Sequence, residues 1–447
     1  MSAGRTHIGA PGVRRLGKPL VSPETVAHAT GNSRRETLVG RRDDPFRSRG
    51  IQVTARGAEP DMTLSPHELS SQRELSPRRR REHLAVDGRV LSDEYHGIGR
   101  LAEMLLRRLA GTTEFEVTVF VRPGQTSRRF DLDGLIEGLG YRRAFFDLPL
   151  TSSLQWLRWP GALRRVGATV TLSLYSLGGP VVGGGRKGTF VHDCIMETDA
   201  RFAPDRRTRL LYMLQTALMV RRNRVFTRSA ASARDIERFY RVPVPEWQVI
   251  PGGVDENFAR DIEPLGQIDG QAPPKTYVLQ VGARRPHKNV AALVRVLPHL
   301  PEDYHLILVG TVDHRFPDQV PAVAEELGVT HRIWHLPRVS ESELQSLYAG
   351  ASVFAYPSLI EGLGLPLLEA MAAGLPVVAS DIPVFREIAE DAAVLVPPGD
   401  PRAWAEAILR LRSPQVRADL IEAGHLQVKK NTWEVTAARM LEALRRM

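Results

Sequence analysis

The stretch YPSLIEGLGLPLLEAMAAGLPVVASDIP, Tyr356 to Pro383, decides the fold of the second half of this chain. A short apolar strand opens it, and a loop with Gly362 and Gly364 follows. A helix then begins near Pro366 and ends before Gly374, an order of proline and glycine that is typical of a short helix. The helix would point its unpaired N–H groups at the carboxyl end of the strand, where they favour an anion.

Two glutamates in this stretch are separated by seven residues, with Glu361 in the loop and Glu369 in the first turns of the helix. Both carboxylates can therefore face one cleft. Such a pair can act as general acid and base, or each member can accept hydrogen bonds from sugar hydroxyls. A solvated Glu361 and a Glu369 that complements the helix dipole form the ordinary alternative. The residues alone leave these alternatives open.

A basic loop precedes this stretch, in YVLQVGARRPHKNVAALVRVL, Tyr277 to Leu297. A strand there delivers four basic side chains to the start of a helix: Arg284, Arg285, His287 and Lys288. A unit charge about 4 Å from a phosphate is worth about 4 kcal/mol at an effective dielectric near 20, and a helix terminus only about 0.3–1 kcal/mol. Cations of this loop would therefore dominate binding of a phosphate, unless the loop simply faces solvent.

The chain from His83 onward alternates short β-branched runs with longer amphipathic segments, which predicts an α/β protein with two doubly wound parallel sheets. The strand candidates of the first half are Leu84–Val86, Glu116–Arg122, Ala168–Leu172, Gly188–His192, Arg224–Thr227 and Trp247–Ile250. Those of the second half are Tyr277–Gly282, His305–Gly310, Arg332–Leu336, Ser352–Tyr356, Pro376–Ser380 and Ala393–Val396. A linker, Pro251 to Thr276, separates the halves. A cleft between the carboxyl ends of the two sheets is the expected ligand site.

Composition excludes several classes of protein. The 447 residues are 43% hydrophobic and 25% charged, as in soluble globular proteins, and the single cysteine, Cys194, excludes an internal disulfide. No apolar run reaches the roughly 18 residues of a membrane span. The net charge of +9 is concentrated in residues 1–82, which hold 16 Lys and Arg against 9 Asp and Glu. The rest of the chain is nearly neutral.

Residues 1–82 lack hydrophobic periodicity and are rich in Arg, Ser, Pro and Gly, so we expect a disordered basic tail. A nucleic-acid role for this tail is the less favoured alternative, and no nucleic-acid partner is expected for the protein. Its nine acidic residues argue against a transit peptide. A start codon assigned too far upstream explains the tail at least as well.

The first half offers two weaker signals. His96-Gly97-Ile98-Gly99-Arg100 opens an amphipathic helix, where a glycine pair is more often a plain helix entry than a phosphate cradle. His192 and Asp193 follow a strand and would lie at the cleft. A histidine in such a place is more often structural than catalytic, so neither signal decides a function alone.

Together these segments resemble the retaining glycosyltransferases of family 4, which have the GT-B fold of two facing Rossmann-like domains. The strings that carry the resemblance are HGIGR, TFVHD, RVFTRSAASARDI, VIPGGVD, VGARRPHKN, LPRVSESELQSLYAGA, YPSLIEGLGLPLLEAMAAGLPVVASDIP and NTWEVTAARML. They run in family order from about Leu84 to the C-terminus. The block with the two glutamates is the most specific of them.

The resemblance implies a role for each site residue. Glu361 would contact the transferred sugar, Glu369 the ribose hydroxyls and Lys288 the diphosphate, while His192 would lie on the acceptor side of the anomeric carbon. The family's partner arginine falls where this chain has Ala283 or His287, and Arg284 is taken as its substitute. The predicted catalytic residues are therefore His192, Glu361, Lys288 and Arg284. The predicted donor-binding residues are Gly97, Gly99, Gly282, Gly362, Leu363, Gly364, Leu365 and Glu369.

The implied reaction is transfer of a hexose, mannose or glucose, from a nucleotide-diphosphate sugar to a hydroxyl of a glycan, lipid-linked or small-molecule acceptor. Front-face substitution is favoured, with no cofactor and no metal. The pattern Asp131-Leu132-Asp133 is interpreted as a surface turn rather than a metal site. A non-catalytic nucleotide-sugar binding protein and a nucleotide-sugar epimerase or phosphorylase of the same fold are the alternatives.

The expected organisation has four parts: residues 1–82 as the tail, 83–260 as the acceptor domain, 261–430 as the donor domain, and 431–447 as a helix that crosses back to the first domain. We expect a cytoplasmic protein. Two basic and apolar segments, around Trp156 to Arg165 and 206–224, suggest peripheral contact with the inner face of a membrane. Ordinary amphipathic helices packed on the sheet explain them as well.

Overall fold

The computed structural model describes residues 81–93, 96–112, 114–183, 185–254, 262–268 and 271–447. The predicted tail lies outside these residues up to residue 80, and so does the predicted domain boundary at residues 260 and 261. Two six-stranded sheets, each with all strands parallel, organise the described chain into a first and a second lobe.

The first sheet has the strand order β3-β2-β1-β4-β5-β6. Its strands are β1 Glu82–Asp87, β2 Phe115–Val121, β3 Arg142–Phe145, β4 Val170–Ser173, β5 Arg186–Phe190 and β6 Arg224–Phe226. The order reverses between β1 and β4, so loops diverge there at the carboxyl ends of the strands. In doubly wound sheets this switch point is where ligands bind.

The second sheet repeats this topology with the order β12-β11-β10-β7-β8-β9. Its strands are β7 Thr276–Val281, β8 Tyr304–Val309, β9 Ile333–Leu336, β10 Val353–Tyr356, β11 Val377–Ser380 and β12 Ala393–Val396. Here the switch point lies between β7 and β10. The basic loop follows β7 and the glutamate loop follows β10, so the topology brings the two predicted segments together.

Helices connect the strands and cover both sheets. They are α1 His96–Leu109, α2 Leu132–Ile136, α3 Gln155–Val166, α4 Ile195–Thr198, α5 Arg206–Arg222, α6 Ala230–Tyr240, α7 Val290–Val296, α8 Val320–Glu326, α9 Glu341–Gly350, α10 Leu365–Ala372, α11 Pro383–Ala389, α12 Pro401–Arg410, α13 Pro414–Lys430 and α14 Trp433–Arg446. Among the described residues no helix has the length and apolar character needed to cross a membrane.

The last helix returns to the first lobe. Trp433, Met440 and Leu444 of α14 are buried in the same apolar cluster as strands β1 and β2. Thr432 forms a single bridge with Val254, and the backbone of Trp433 lies so close to Gly253 that a Cβ there would be 2.3 Å from its nitrogen. The chain therefore crosses between the lobes twice, side by side.

One predicted strand was wrong, and one strand was missed. Trp247–Ile250 is not a strand, because Glu246–Gln248 forms a 3-10 turn between two prolines and only Val249 pairs with Thr227. The prediction also missed β3, whose sequence RRAF has little apolar character. As the edge strand it pairs only with β2, so arginines can face solvent there.

The Asp131-Leu132-Asp133 pattern caps a short helix. Asp131 accepts a hydrogen bond from the Gly134 N–H at 3.0 Å, and Asp133 pairs with Arg143 at 2.6 Å. Both carboxylates thus have local partners. Across the part of the chain that the structure describes, no group of three or more His, Cys, Asp or Glu side chains could hold a metal ion.

Candidate functional site

The centre of the candidate site is a buried ion pair at the switch point of the second sheet. Lys288, in the loop after β7, donates from Nζ to Glu361 Oε1 at 2.6 Å and to the Tyr356 hydroxyl at 2.8 Å. Ser358 donates to the same carboxylate oxygen at 2.7 Å. The two predicted segments therefore meet through their charged residues.

Burial sets the electrostatics of this pair. The side chains of Lys288 and Glu361 are only 16% and 8% exposed. Burial lowers the pKa of Lys288, but the Glu361 carboxylate and the Tyr356 hydroxyl raise that pKa by more. Burial likewise raises the pKa of Glu361, but Lys288, His287 and the Ser358 hydrogen bond together lower it by more, so this pKa lies below its usual value. Both groups remain charged at neutral pH.

Glu369 lies about one helix turn beyond the loop that holds Glu361, and its carboxylate has a different kind of partner. It accepts a hydrogen bond from the Tyr348 hydroxyl at 3.0 Å, and no ion pair joins it to a cation among the described residues. Burial raises its pKa above the usual value, an effect that the Tyr348 hydrogen bond and the charge of Arg100 only partly offset. The two carboxylates are thus held in different ways, one by a cation and one by a phenol.

The glycines of the loop before α10 allow this loop to pack closely against its neighbours. A Cβ added at Gly362 would lie 2.3 Å from the carbonyl oxygen of His192, so the loop touches the first lobe there. Gly364 caps α10 at φ +94°, a conformation that side chains rarely adopt. Leu363 is buried between them, and Leu365 begins the helix. The four predicted residues therefore form one tight turn into α10.

The other predicted glycines occupy different surroundings. Gly282, at the end of β7, has φ +143°, and a Cβ on it would lie 3.8 Å from Cε of Lys288. Gly97 faces open space in the first turn of α1. Gly99 instead packs on Phe130. A Cβ added at Gly99 would lie 2.7 Å from the ring of Phe130. A packing requirement is therefore sufficient to explain Gly99.

Arg284 is not brought into the Lys288 pair. Its guanidinium donates to Asp318 at 2.7 Å in an ion pair that is largely buried. The next residue, Arg285, pairs with Asp313 at 2.9 Å. Each arginine of the loop thus has a carboxylate partner, and Asp313 is shared with Arg315. The role predicted for Arg284 stays a prediction.

The first lobe presents His192 at the end of β5. Its Nε2 donates to the Leu174 carbonyl at 2.7 Å, and its ring stacks on Phe190. Burial lowers the pKa of His192 to about 3, with a further contribution from Arg228. The imidazole is therefore neutral, with its proton on Nε2 and Nδ1 left as an acceptor. The adjacent Asp193 is partly buried, and this burial raises its pKa.

Further contacts join the lobes around this point. Ser229 Oγ donates to the Gly362 carbonyl at 2.9 Å. The Glu387 carboxylate of α11 accepts from the N–H groups of Ala230 and Ala231, at 2.6 and 2.8 Å, and so caps α6 from the opposite lobe. The glutamate loop and the start of α6 are therefore held against each other.

Sequence reasoning missed the residues that support the charged pair. Tyr356 and Ser358 were assigned only to a strand end and its loop, yet both hydroxyls contact the pair. Tyr348, on α9, was not singled out at all. Their position next to Glu361, or one helix before it, gives no signal of hydrogen bonding, because the contact depends on how α9 and β10 pack.

Residues 262–427 match the family model of glycosyl transferases group 1. This segment is a group 1 glycosyltransferase domain. It contains the ion pair, the glycine turn and Glu369.

Two curated relatives that the chain resembles are mannosyltransferases. The chain is 39% identical over 135 residues to the O-antigen chain mannosyltransferase RfbU of Salmonella typhimurium, which covers 30% of this chain and 38% of that protein. It is 32% identical over 200 residues to a phosphatidyl-myo-inositol mannosyltransferase of Mycobacterium leprae, covering 43% of this chain and 51% of that one. The chain thus spans about half or less of the length of these relatives.

A solved structure shows that the fold extends beyond the group 1 domain. Sucrose-phosphate synthase from Thermosynechococcus elongatus superposes with a TM-score of 0.63 at 21% identity, covering 82% of this chain and 99% of that one. The two sheets and the returning helix are thus those of a GT-B protein. The predicted fold class is confirmed.

Proposed function

We propose that this chain is a retaining glycosyltransferase that moves a hexose from a nucleotide-diphosphate sugar to a hydroxyl of a glycan, lipid-linked or small-molecule acceptor. The observation that carries the proposal is the buried Lys288–Glu361 pair at the switch point, next to the glycine turn of a group 1 domain. The resemblance to mannosyltransferases of O-antigen and phosphatidyl-myo-inositol favours mannose as the sugar and a polysaccharide or lipid as the acceptor.

The pair has the chemistry to bind a sugar diphosphate. An ammonium has three N–H donors, and the described contacts of Lys288 use two of them. The third is available for an oxygen of the diphosphate. Glu361 is fixed by Lys288 and Ser358, and its remaining lone pairs can accept from sugar hydroxyls. Glu369 would accept from the ribose hydroxyls.

The proposed reaction is a substitution on one face of the sugar. The acceptor oxygen forms a bond to the anomeric carbon while the bond from that carbon to the phosphate oxygen breaks. The acceptor proton passes to the departing diphosphate. Lys288 and the N–H groups at the start of α10 stabilise the charge that develops on the leaving oxygen, which is the usual way that fixed charges lower such a barrier. This charge set requires no metal.

The test is a transfer assay with a panel of nucleotide-diphosphate mannose and glucose donors, in which the glycosylated acceptor is detected by mass spectrometry. Glu361→Gln is expected to lose transfer, because it removes the carboxylate that holds Lys288. The control is Glu406→Gln on the exposed face of α12, which is expected to retain full activity. Activity that survives EDTA supports a metal-free reaction.

Other outcomes would contradict the proposal. Isomerised donor without transfer would identify an epimerase, and release of sugar phosphate would identify a phosphorylase. Binding of nucleoside diphosphates with no turnover of any donor would identify a binding protein. A product with inverted anomeric configuration would reject the retaining mechanism.

An exposed apolar surface on the first lobe supports a lipid-linked acceptor. Helices α3 and α5 both pack on the loop after β4, since Gln155 donates to the Leu177 carbonyl and Gly179 lies against Met219. The apolar residues exposed on these three segments are Leu154, Leu157, Val182, Leu210, Leu211 and Leu214. The exposed arginines beside them are Arg158, Arg164, Arg165, Arg206 and Arg207. Apolar and basic side chains together are typical of an interfacial surface.

Trp159 lies in the segment that was predicted to contact a membrane, but it is not part of this surface. Trp159 is fully buried and stacks on Phe146, so it belongs to the core. A flotation assay with phosphatidylglycerol-containing vesicles tests the remainder. Leu157→Ser with Leu214→Ser is expected to reduce vesicle binding, because both leucines are exposed. An absence of wild-type binding would remove the membrane from the proposal.

A further inference from the structure

A buried arginine of the first lobe lies at the cleft. Arg228 stands between β6 and α6 and is only 4% exposed. The structure shows no hydrogen bond or ion pair from its guanidinium to any described residue. Its neighbour Ser229 contacts the Gly362 carbonyl, so Arg228 lies at the seam between the lobes. Its charge is thus buried where the two sheets face each other.

Its guanidinium meets the turn that opens α10. A Cβ added at Gly252 would lie 2.3 Å from Nη2 of Arg228, 2.1 Å from Leu363 and 3.0 Å from Leu365. These three side chains therefore converge on one glycine. Arg228 also lies close enough to His192 to lower its pKa. The arginine thus reaches the same turn as the Lys288 pair, from the opposite lobe.

Two other arginines of the described chain that are as deeply buried, Arg332 and Arg89, have partners for their guanidinium groups. Arg332, 1% exposed, donates to the carbonyls of Tyr304 and Leu297 and to further carbonyls nearby. Arg89, 3% exposed, pairs with Asp87 at 2.6 Å. A guanidinium stays protonated in proteins, and a buried charge without a partner is costly. Burial lowers the pKa of Arg228 to about 10, which reflects this cost.

We infer that Arg228 binds the diphosphate of the donor and supplies a second cation beside Lys288. The inference rests on the proposed function. A planar guanidinium matches a phosphate through two parallel hydrogen bonds. Because Arg228 belongs to the first lobe and Lys288 to the second, the diphosphate would be held from both sides, and binding would favour the closed arrangement of the lobes.

The test compares Arg228→Met and Arg228→Lys with the wild type. UDP, GDP and ADP are titrated by calorimetry, and the matching nucleosides by ligand-detected NMR. For the diphosphate that binds best, Arg228→Met is expected to raise the Kd at least tenfold and to change the nucleoside Kd less than twofold. The diphosphate Kd of Arg228→Lys should lie between those of the wild type and Arg228→Met, because lysine keeps the charge but lacks the planar guanidinium. Arg417→Met, a half-buried arginine bonded to the Ser352 carbonyl, is the control and should leave both values unchanged.

The melting temperature of the free protein separates a binding role from a structural one. Removing an uncompensated charge should leave the melting temperature of Arg228→Met unchanged or higher, whereas Arg417→Met should lower it. An unchanged diphosphate Kd in Arg228→Met, or an equal loss for diphosphate and nucleoside, would overturn the inference while leaving the proposed function intact. A wild type that binds none of the diphosphates would overturn both.

Discussion

The two lobes share one topology but differ in whether the charged side chains at the edge of the sheet have ion-pair partners. At the carboxyl edge of the second sheet Lys288 is paired with Glu361, Arg284 with Asp318 and Arg285 with Asp313. At the edge of the first sheet, His192 is neutral and Arg228 has no counter-ion among the described residues. These three cations of the second lobe therefore have carboxylate partners, whereas Arg228 of the first lobe has none among the described residues.

This difference separates two ways to prepare a site. Paired charges hold a lysine in position before any ligand arrives, which is preorganisation. An unpaired charge costs stability until an anion compensates it. On the proposal made for Arg228, the second lobe therefore holds the ligand-binding groups in place before binding. The first lobe would couple ligand binding to closure of the lobes.

The largest effect is expected for Lys288→Met. It leaves Glu361 buried without its cation, which should lower the free energy of unfolding by about 3–5 kcal/mol. It should also lower kcat/KM by roughly 30- to 900-fold, about 2–4 kcal/mol of transition-state stabilisation. Denaturant unfolding and steady-state kinetics measure the two effects.

The double variant Lys288→Met with Glu361→Gln is the control for this prediction. It removes both charges, so it should regain much of the stability but none of the activity. Equal stability of the single and double variants would show that the pair does not carry the electrostatics of the second lobe.

An intermediate effect is expected from pH. Burial lowers the pKa of His192 in the first lobe and of His287 in the second to about 3, below the usual 6.5. As the pH is lowered, the unfolded chain therefore binds these protons before the folded chain does. The free energy of unfolding is unaffected by these histidines above pH 6.5 and falls as the pH drops from 6.5 toward 3. The slope is at most about 1.4 kcal/mol per pH unit for each histidine.

The variants His192→Gln and His287→Gln should each reduce this slope by a similar amount. Urea unfolding between pH 4 and 7 measures it. Glu361, whose pKa is lowered, should contribute only below about pH 4.5, its usual range. A slope that is unchanged in either histidine variant would contradict the buried neutral state in that lobe.

The smallest effect is expected for Glu387→Gln, which weakens the cap that the second lobe places on α6. Loss of the charge and of one of two N–H contacts should cost about 0.5–2 kcal/mol. Hydrogen exchange at Ala230 and Ala231 should rise, while Glu406→Gln should leave it unchanged. Unaltered exchange would show that α6 is held without this carboxylate.

Sequence reasoning predicted eleven of the twelve strands that the structure describes, because buried parallel strands are continuous apolar runs between turn residues. It missed β3, an edge strand with two arginines, and took Trp247–Ile250 for a strand where two prolines enclose a turn. It also brought Lys288 and Glu361 to one site, since their strands flank the same switch point. These inferences rest on local pattern and connectivity.

The amino-acid sequence by itself therefore determined the α/β class, the two doubly wound parallel sheets and the loops that carry charge. Only the tertiary structure decided which charges are paired. No sequence pattern indicated that Arg284 pairs with Asp318, or that Arg228 lies at the seam between the lobes without a counter-ion among the described residues. The physical reason is that a charge's partner is fixed by side-chain packing over a few ångströms, and residues that meet across two lobes are far apart along the chain.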